Sequence, residues 1–242
     1  MAGNGMGVVR SVNVGQPREL ELRGKSHQTG IFKEPVAGRV RLSDNSVEGD
    51  VQADRQVHGG PYKAVYSYAL EDYAWWEQEL GRPLAPATFG ENLTLKGVST
   101  TDALIGERWA VGSAVLVVTQ PRQPCWKLAA KMQDKTFVRR FREAGRAGAY
   151  LAIAQEGDVG AGDPVEVVSR PSHPVSIGMI AFLNNHNREL ARLLMELIPE
   201  EPTPEEWAQV LGALNLPDHY PWSDAVGSPN IPATGIGEGE DE

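Results

Sequence analysis

Through the first two-thirds of the chain, short apolar runs alternate with polar positions and are separated by glycine and proline. This pattern predicts strands over Val8–Val14, Glu19–Leu22, Gly38–Leu42, Ala64–Tyr68, Glu91–Leu95, Arg108–Val111, Ala114–Gln120, Tyr150–Ala154 and Pro164–Ser169. Turn signals at this density point to a β-barrel or sandwich. Gly112-Ser113, between two such runs, reads as a hairpin turn. The pattern switches to helical spacing over Leu70–Leu80, where Leu70, Tyr73, Trp76 and Leu80 share a face; Gly81 and Pro83 end it. Aromatic residues on such a face most simply pack into the core.

After Pro174 helical spacing dominates. Ile177–Leu183, Arg188–Leu197 and Glu205–Leu214 are expected as three helices, with Leu190, Leu193, Leu194 and Leu197 as an apolar stripe. Thr203-Pro204-Glu205-Glu206 has the form of a capping box with proline at the first helical position. A domain boundary is expected near Arg170–Pro174. That gives a β domain over 1–170, a three-helix extension over 171–222, and a Gly/Pro-rich tail over 223–242 that is too poor in apolar residues to order itself.

Charge and composition narrow the options. The 242 residues carry a formal charge of −9, and the tail holds Asp224, Glu238, Glu240, Asp241 and Glu242 with no Lys or Arg. No global attraction to nucleic acid follows from this balance. No apolar run is long enough for a membrane span. The first residues lack the features of a signal peptide. The single cysteine cannot form an internal disulfide, so a reducing, cytoplasmic setting is expected. Oligomerisation is left open.

Three places could carry chemistry. Cys125 lies in Gln120-Pro121-Arg122-Gln123-Pro124-Cys125-Trp126-Lys127, just past a strand that two prolines stop. A lone cysteine can be a small buried hydrophobe. Between Arg122 and Lys127, however, cations favour the thiolate, which attacks electrophiles and binds soft metals. Asp54-Arg55-Gln56-Val57-His58-Gly59-Gly60-Pro61 pairs glycines with a histidine able to move a proton near neutrality, or is simply a turn. The four-residue spacing of Asp50, Asp54 and His58 would suit three ligands on a helix, but Gly49, Gly59, Gly60 and Pro61 argue against a helix there. Finally, Lys127, Lys131, Lys135, Arg139, Arg140, Arg142 and Arg146 face only Asp134 and Glu143 in their segment. If helical, Lys127, Lys131, Lys135 and Arg139 would share one face, either a solvated surface or an anion-docking patch beside the thiol.

Arg55-Gln56-Val57-His58-Gly59-Gly60-Pro61, then Phe89-Gly90-Glu91-Asn92-Leu93, then Gln120 to Leu128 occur in the order and spacing of a MOSC domain, the family named after the C-terminal domain of molybdenum cofactor sulfurases. Thr29-Gly30-Ile31-Phe32-Lys33 and Val47-Glu48-Gly49-Asp50 fit as well. The resemblance covers roughly Lys25 to Ser169, and the helices after Pro174 resemble the extension of stand-alone bacterial members of the YiiM type.

The resemblance implies a mainly β fold: a largely antiparallel barrel with a few helices and a small C-terminal helical subdomain. It implies molybdenum cofactor (molybdopterin) as the cofactor, with Cys125 as its molybdenum ligand or as a sulfur acceptor. It implies His58 as the second catalytic residue, and Lys33, Arg55, Gly59, Gly60, Asn92, Arg122 and Lys127 as cofactor-binding positions. The expected activity is reduction of N-hydroxylated bases such as 6-hydroxylaminopurine, with electrons from a flavoprotein. A cofactor or sulfur carrier without catalysis is the alternative. Pyridoxal phosphate binding comes with the family as a general label. Trp126 stands where relatives often carry tyrosine and would offer an aromatic wall.

Overall fold

The computed structural model describes residues 6–22, 24–51 and 60–200, together with 203, 206 and 209. The strands are β1 (Met6–Val14), β2 (Arg18–Leu22), β3 (Lys25–Thr29), β4 (Glu34–Pro35), β5 (Arg39–Ser43), β6 (Ser46–Val47), β7 (Val65–Ala69), β8 (Leu93–Lys96), β9 (Arg108–Val111), β10 (Ala114–Pro121), β11 (Ala149–Gln155), β12 (Gly157–Gly160) and β13 (Pro164–Ser169). The helices are α1 (Leu70–Leu80), α2 (Trp126–Met132), α3 (Phe137–Glu143), α4 (Ile177–His186) and α5 (Arg188–Leu197).

Seven strands run in the order β13-β9-β10-β11-β7-β8-β1, and β1 pairs back onto β13 to close a barrel. Every pairing is antiparallel except β7 with β8. Closure leaves no barrel strand edge to be managed. Alternation along β10 turns Ala114, Leu116 and Val118 into the interior, where they meet Trp109, Leu93, Leu95 and Leu151. The mainly β expectation therefore holds, and β9 and β13 begin and end where the apolar pattern places them. Val111 pairs with Ala114 across Gly112-Ser113, the expected hairpin, and Gly112 takes φ +58.

Four short strands, β3, β4, β6 and β12, escape that pattern, whereas β2 matches the expected Glu19–Leu22. Strands β2 and β3 form a separate ribbon that is largely exposed, so no core face imposes alternation on Lys25–Thr29. Strand β12 is Gly157-Asp158-Val159-Gly160. A Cβ on Gly157 would meet the Ser113 backbone at 2.4 Å, so close approach to the hairpin selects a residue with poor strand propensity. The two-residue strands β4 and β6 are too short to show a period.

Helix α1 matches its expected bounds; Gly81 caps it at φ +64 and donates to the Gln78 carbonyl. Its aromatic face is core: Tyr73 and Trp76 pack with Tyr68, Phe89, Phe137 and Phe141 in a cluster beside the barrel. The basic segment does not form one helix. Gln133 adopts φ +55 and separates α2 from α3, so Lys127, Lys131, Lys135 and Arg139 share no common face. Helices α4 and α5 occur as expected, and their Ile177, Ile180, Leu183, Ala191 and Leu194 join the barrel core. Leu193 leaves the expected stripe and is 43% exposed. The third predicted helix, Glu205–Leu214, and the tail lie outside the described residues, apart from isolated positions. Thr203 and Glu206 do exchange capping-box hydrogen bonds, at 2.8 and 3.3 Å.

Candidate active site

Strand β10 ends at Pro121, and the chain passes through Arg122-Gln123-Pro124-Cys125 into α2. Cys125 is the N-cap residue of that helix, in extended conformation and with no side-chain capping bond. It is half-buried, forms no disulfide, and lines a solvent-open cleft of about 620 Å³. The thiol is therefore not sealed in apolar packing. Lys33, Asn92, Arg122 and Lys127 line the same cleft, so folding gathers residues that lie up to a hundred positions apart in the chain. Arg55, His58 and Gly59 lie outside the described residues. Gly60 is described and adopts φ +99, ψ 169, a conformation almost confined to glycine.

The expected cations differ in their settings. Arg122 is 7% exposed. Its Nη1 donates to the Phe89 carbonyl at 2.5 Å, and its guanidinium lies over the Tyr66 ring at 5.3 Å. Burial opposes the charge, yet Tyr66, Tyr150 and Cys125 outweigh it and raise the guanidinium above its ordinary value. Arg122 is thus a permanent positive charge at the cleft floor. Lys127 is buried to a similar degree on the first turn of α2. Lys33 instead has its ammonium bound to both carboxylate oxygens of Asp50. Desolvation by burial pulls the Lys33 pKa down against that partner.

Asn92 works in the same pair. Its Nδ2 donates to Asp50 at 2.9 Å and to the Asn13 carbonyl at 3.2 Å, while its Oδ1 accepts from the Tyr66 N–H at 3.1 Å. Both amide donors are used, so Asn92 holds the cleft wall and strand β1 in place. Gly15 N–H also donates to Asp50, at 2.7 Å. Asp50 therefore serves an ion-paired network, while Asp54 and His58, which share its four-residue spacing, lie outside the described residues.

Sequence reasoning did not single out Lys63, Tyr66 or Tyr150, which also line the cleft. Lys63 closes the short helical turn Pro61–Lys63 that follows the glycine motif, so its proximity to that motif was an available signal. Tyr66 and Tyr150 come from neighbouring strands, with ring centroids 5.1 Å apart, and form the aromatic wall. Trp126, expected in that role, packs edge-on against His27 of β3 instead. Beneath the cleft, Lys131 donates to the carbonyls of Ile31 and Ala87 and so ties two lining loops to α2. Buried Glu91 accepts from the Ala87 N–H at 2.9 Å and from Thr94 Oγ1 at 2.8 Å.

The cleft thus offers one soft donor, Cys125, beside Lys63, Arg122 and Lys127, with Asp50 already matched by Lys33. A thiolate suits a soft or borderline transition metal, and arginine suits phosphate oxygens. This donor set fits an anionic, metal-bearing pterin phosphate.

Comparison with known proteins agrees with the geometry. Residues 54–166 match the family model of the MOSC domain. The uncharacterized protein YflK of Bacillus subtilis is 40% identical over 199 residues, 82% of this chain and 90% of that protein. Protein YiiM of Escherichia coli is 35% identical across 64% of this chain and 70% of its own length. A Gibberella moniliformis protein named "Reductase" is 31% identical, over 68% of this chain and 30% of that protein. The crystal structure of YiiM from Geobacillus stearothermophilus superposes with a TM-score of 0.66 at 30% identity, covering 85% of this chain and 99% of that one.

Proposed function

The chain belongs to the MOSC domain family, and on that premise we propose that it binds molybdenum cofactor and reduces N-hydroxylated bases such as 6-hydroxylaminopurine. One observation carries the reading: Cys125 with Arg122 and Lys127 of its own segment, and Lys63 from a distant one, line a single open cleft. The fungal relative named as a reductase, matched over 30% of its length, is in keeping with a redox role.

Cys125 would hold the molybdenum through its sulfur. Arg122, Lys127 and Lys63 would neutralise the phosphate and dithiolene charge, with Arg122 able to donate two parallel hydrogen bonds. Tyr66 and Tyr150 would wall the ring system. Lys33, Asp50 and Asn92 would keep the opposite wall fixed. When bound, the cofactor supplies the two-electron couple that side chains lack.

The overall change is R–NHOH + 2 e⁻ + 2 H⁺ → R–NH₂ + H₂O. The N–O bond breaks, one N–H and one O–H bond form, and a reduced flavoprotein is oxidised. His58 is the assigned proton donor to the departing oxygen, a role worth roughly 10²–10⁴-fold when the donor reaches its target. A chain whose one cysteine can form no internal disulfide is compatible with the reducing cytoplasm, where such a donor would be available.

The test uses protein made in cells that synthesise the cofactor. Metal analysis and pterin fluorescence should show both components. The loaded protein should convert 6-hydroxylaminopurine to adenine when supplied with reductant. Cys125→Ser should lose molybdenum and turnover while melting normally; comparable turnover by that variant refutes the assignment. Retained cofactor with no turnover in a complete electron-transfer assay would assign the carrier role instead.

A further inference from the structure

We propose that the groove between α3 and the α4–α5 corner is the docking surface for an acidic electron-donating flavoprotein, an inference that rests on the reduction reading above. The groove is open to solvent, spans about 1150 Å³ and is lined by Arg139, Arg142, Glu143, Asn185, His186 and Arg188, among others. The three arginines and His186 are exposed. Glu143, the acidic residue in this lining, lies 3.3 Å from Arg139. Arg142 has no ion pair among the described residues. Residues 1–200 hold 23 basic and 23 acidic side chains, so against a balanced background the groove's three arginines, offset by Glu143, form a local positive patch that attracts an acidic partner.

The groove is also continuous with the chemistry. Arg142 and Asn185 line a narrow crevice together with Arg122 and Pro124. Arg122 and Cys125 in turn line the cleft. The groove is thus linked through Arg142 and Asn185 to the crevice beside the loop that carries the thiol. The backbone there is braced, since Asn185 Nδ2 on α4 donates to the Arg142 carbonyl on α3 at 3.3 Å. The docked donor's reduced flavin would give up the two electrons consumed at the N–O bond and leave oxidised.

The experiment compares wild type with the full-length variant Arg139→Glu/Arg142→Glu/Arg188→Glu, using a flavodoxin-type flavoprotein as donor. Binding is titrated calorimetrically at several salt concentrations, and turnover is measured with this donor and, in parallel, with reduced methyl viologen. We expect donor affinity to fall about tenfold or more and its salt dependence to flatten, while the viologen-driven rate and the melting temperature stay unchanged. Unchanged donor binding in the variant overturns the proposal. So does donor binding that appears only after Glu238→Gln/Glu240→Gln/Asp241→Asn/Glu242→Gln, which would assign the groove to the chain's own acidic segment. Absence of viologen-driven turnover in loaded wild type would sink the reduction reading instead, and the calorimetric titration reads docking without it.

Discussion

The ammonium of Lys33 sits against both carboxylate oxygens of Asp50, with side-chain exposures of 9% and 3%. This relationship makes the pair a wall element whose charges cancel. Removing one partner leaves the other buried and uncompensated. Lys33→Met should therefore cost about 3–5 kcal/mol in urea unfolding. Lys33→Met/Asp50→Asn should recover much of that loss, because the stranded carboxylate is gone. A double variant no more stable than the single one would refute the pairing argument.

Lys131 predicts a rise in stability at alkaline pH. Desolvation by burial lowers its pKa to about 8, with Glu91 opposing the shift and Arg122, Lys33 and Arg18 assisting it. The unfolded chain keeps this proton up to about 10.5. Between those values the unfolded state binds more protons, so stability increases as pH rises through the interval. The cost of the buried charge is fully present below pH 8. Urea midpoints between pH 7.5 and 9.5 should climb in the wild type and climb less in Lys131→Met; parallel slopes would contradict this.

His173 predicts loss of stability in acid. Burial lowers its imidazole pKa from 6.5, and its Nδ1 accepts the Val175 N–H at 3.2 Å. The unfolded chain takes up the proton first as pH falls, so this contribution is present above about 6.5 and is lost below it. His173→Gln should unfold with a shallower pH dependence between pH 6.5 and 5. The measurement is the difference in unfolding free energy between the two proteins across that range.

Arg122 should tolerate no conservative replacement. A lysine there cannot both reach the Phe89 carbonyl and lie flat over the Tyr66 ring. Arg122→Lys is expected to lose about 1–3 kcal/mol of stability from the disturbed buried hydrogen bond. It should also weaken binding of a pterin phosphate about tenfold, read by fluorescence titration. Wild-type affinity in the variant would remove Arg122 from the anion site.

Cys125 should matter little to folding. It makes no side-chain capping bond and is only half-buried. Cys125→Ser should shift unfolding free energy by less than about 1 kcal/mol. In the wild type, a thiol reagent should label the folded protein without waiting for global unfolding. Labelling that tracks the unfolding rate would mean that the sulfur is inaccessible.

The β architecture could be read from the chain because barrel strands bury one face, and burial writes a two-residue period into β9, β10 and β13. The exposed strand β3 and the glycine-selected β12 carry no such constraint and so left no trace, although Glu19–Leu22 of the same ribbon did read as a strand. Local chemistry was equally legible: a cysteine between Arg122 and Lys127, glycines before Pro61, a capping box at Thr203. Pairing across distance was not. Nothing in the one-dimensional pattern says that Lys33 meets Asp50, that Asn92 gives both its amide donors to protein acceptors, or that Tyr150 rather than Trp126 walls the cleft. Those facts depend on which strands become neighbours when the barrel closes and on the break at Gln133 that separates α2 from α3. Charge type is a property of the residue, whereas whether that charge is matched, buried or offered to a ligand is set by what the fold brings within a few ångströms of it.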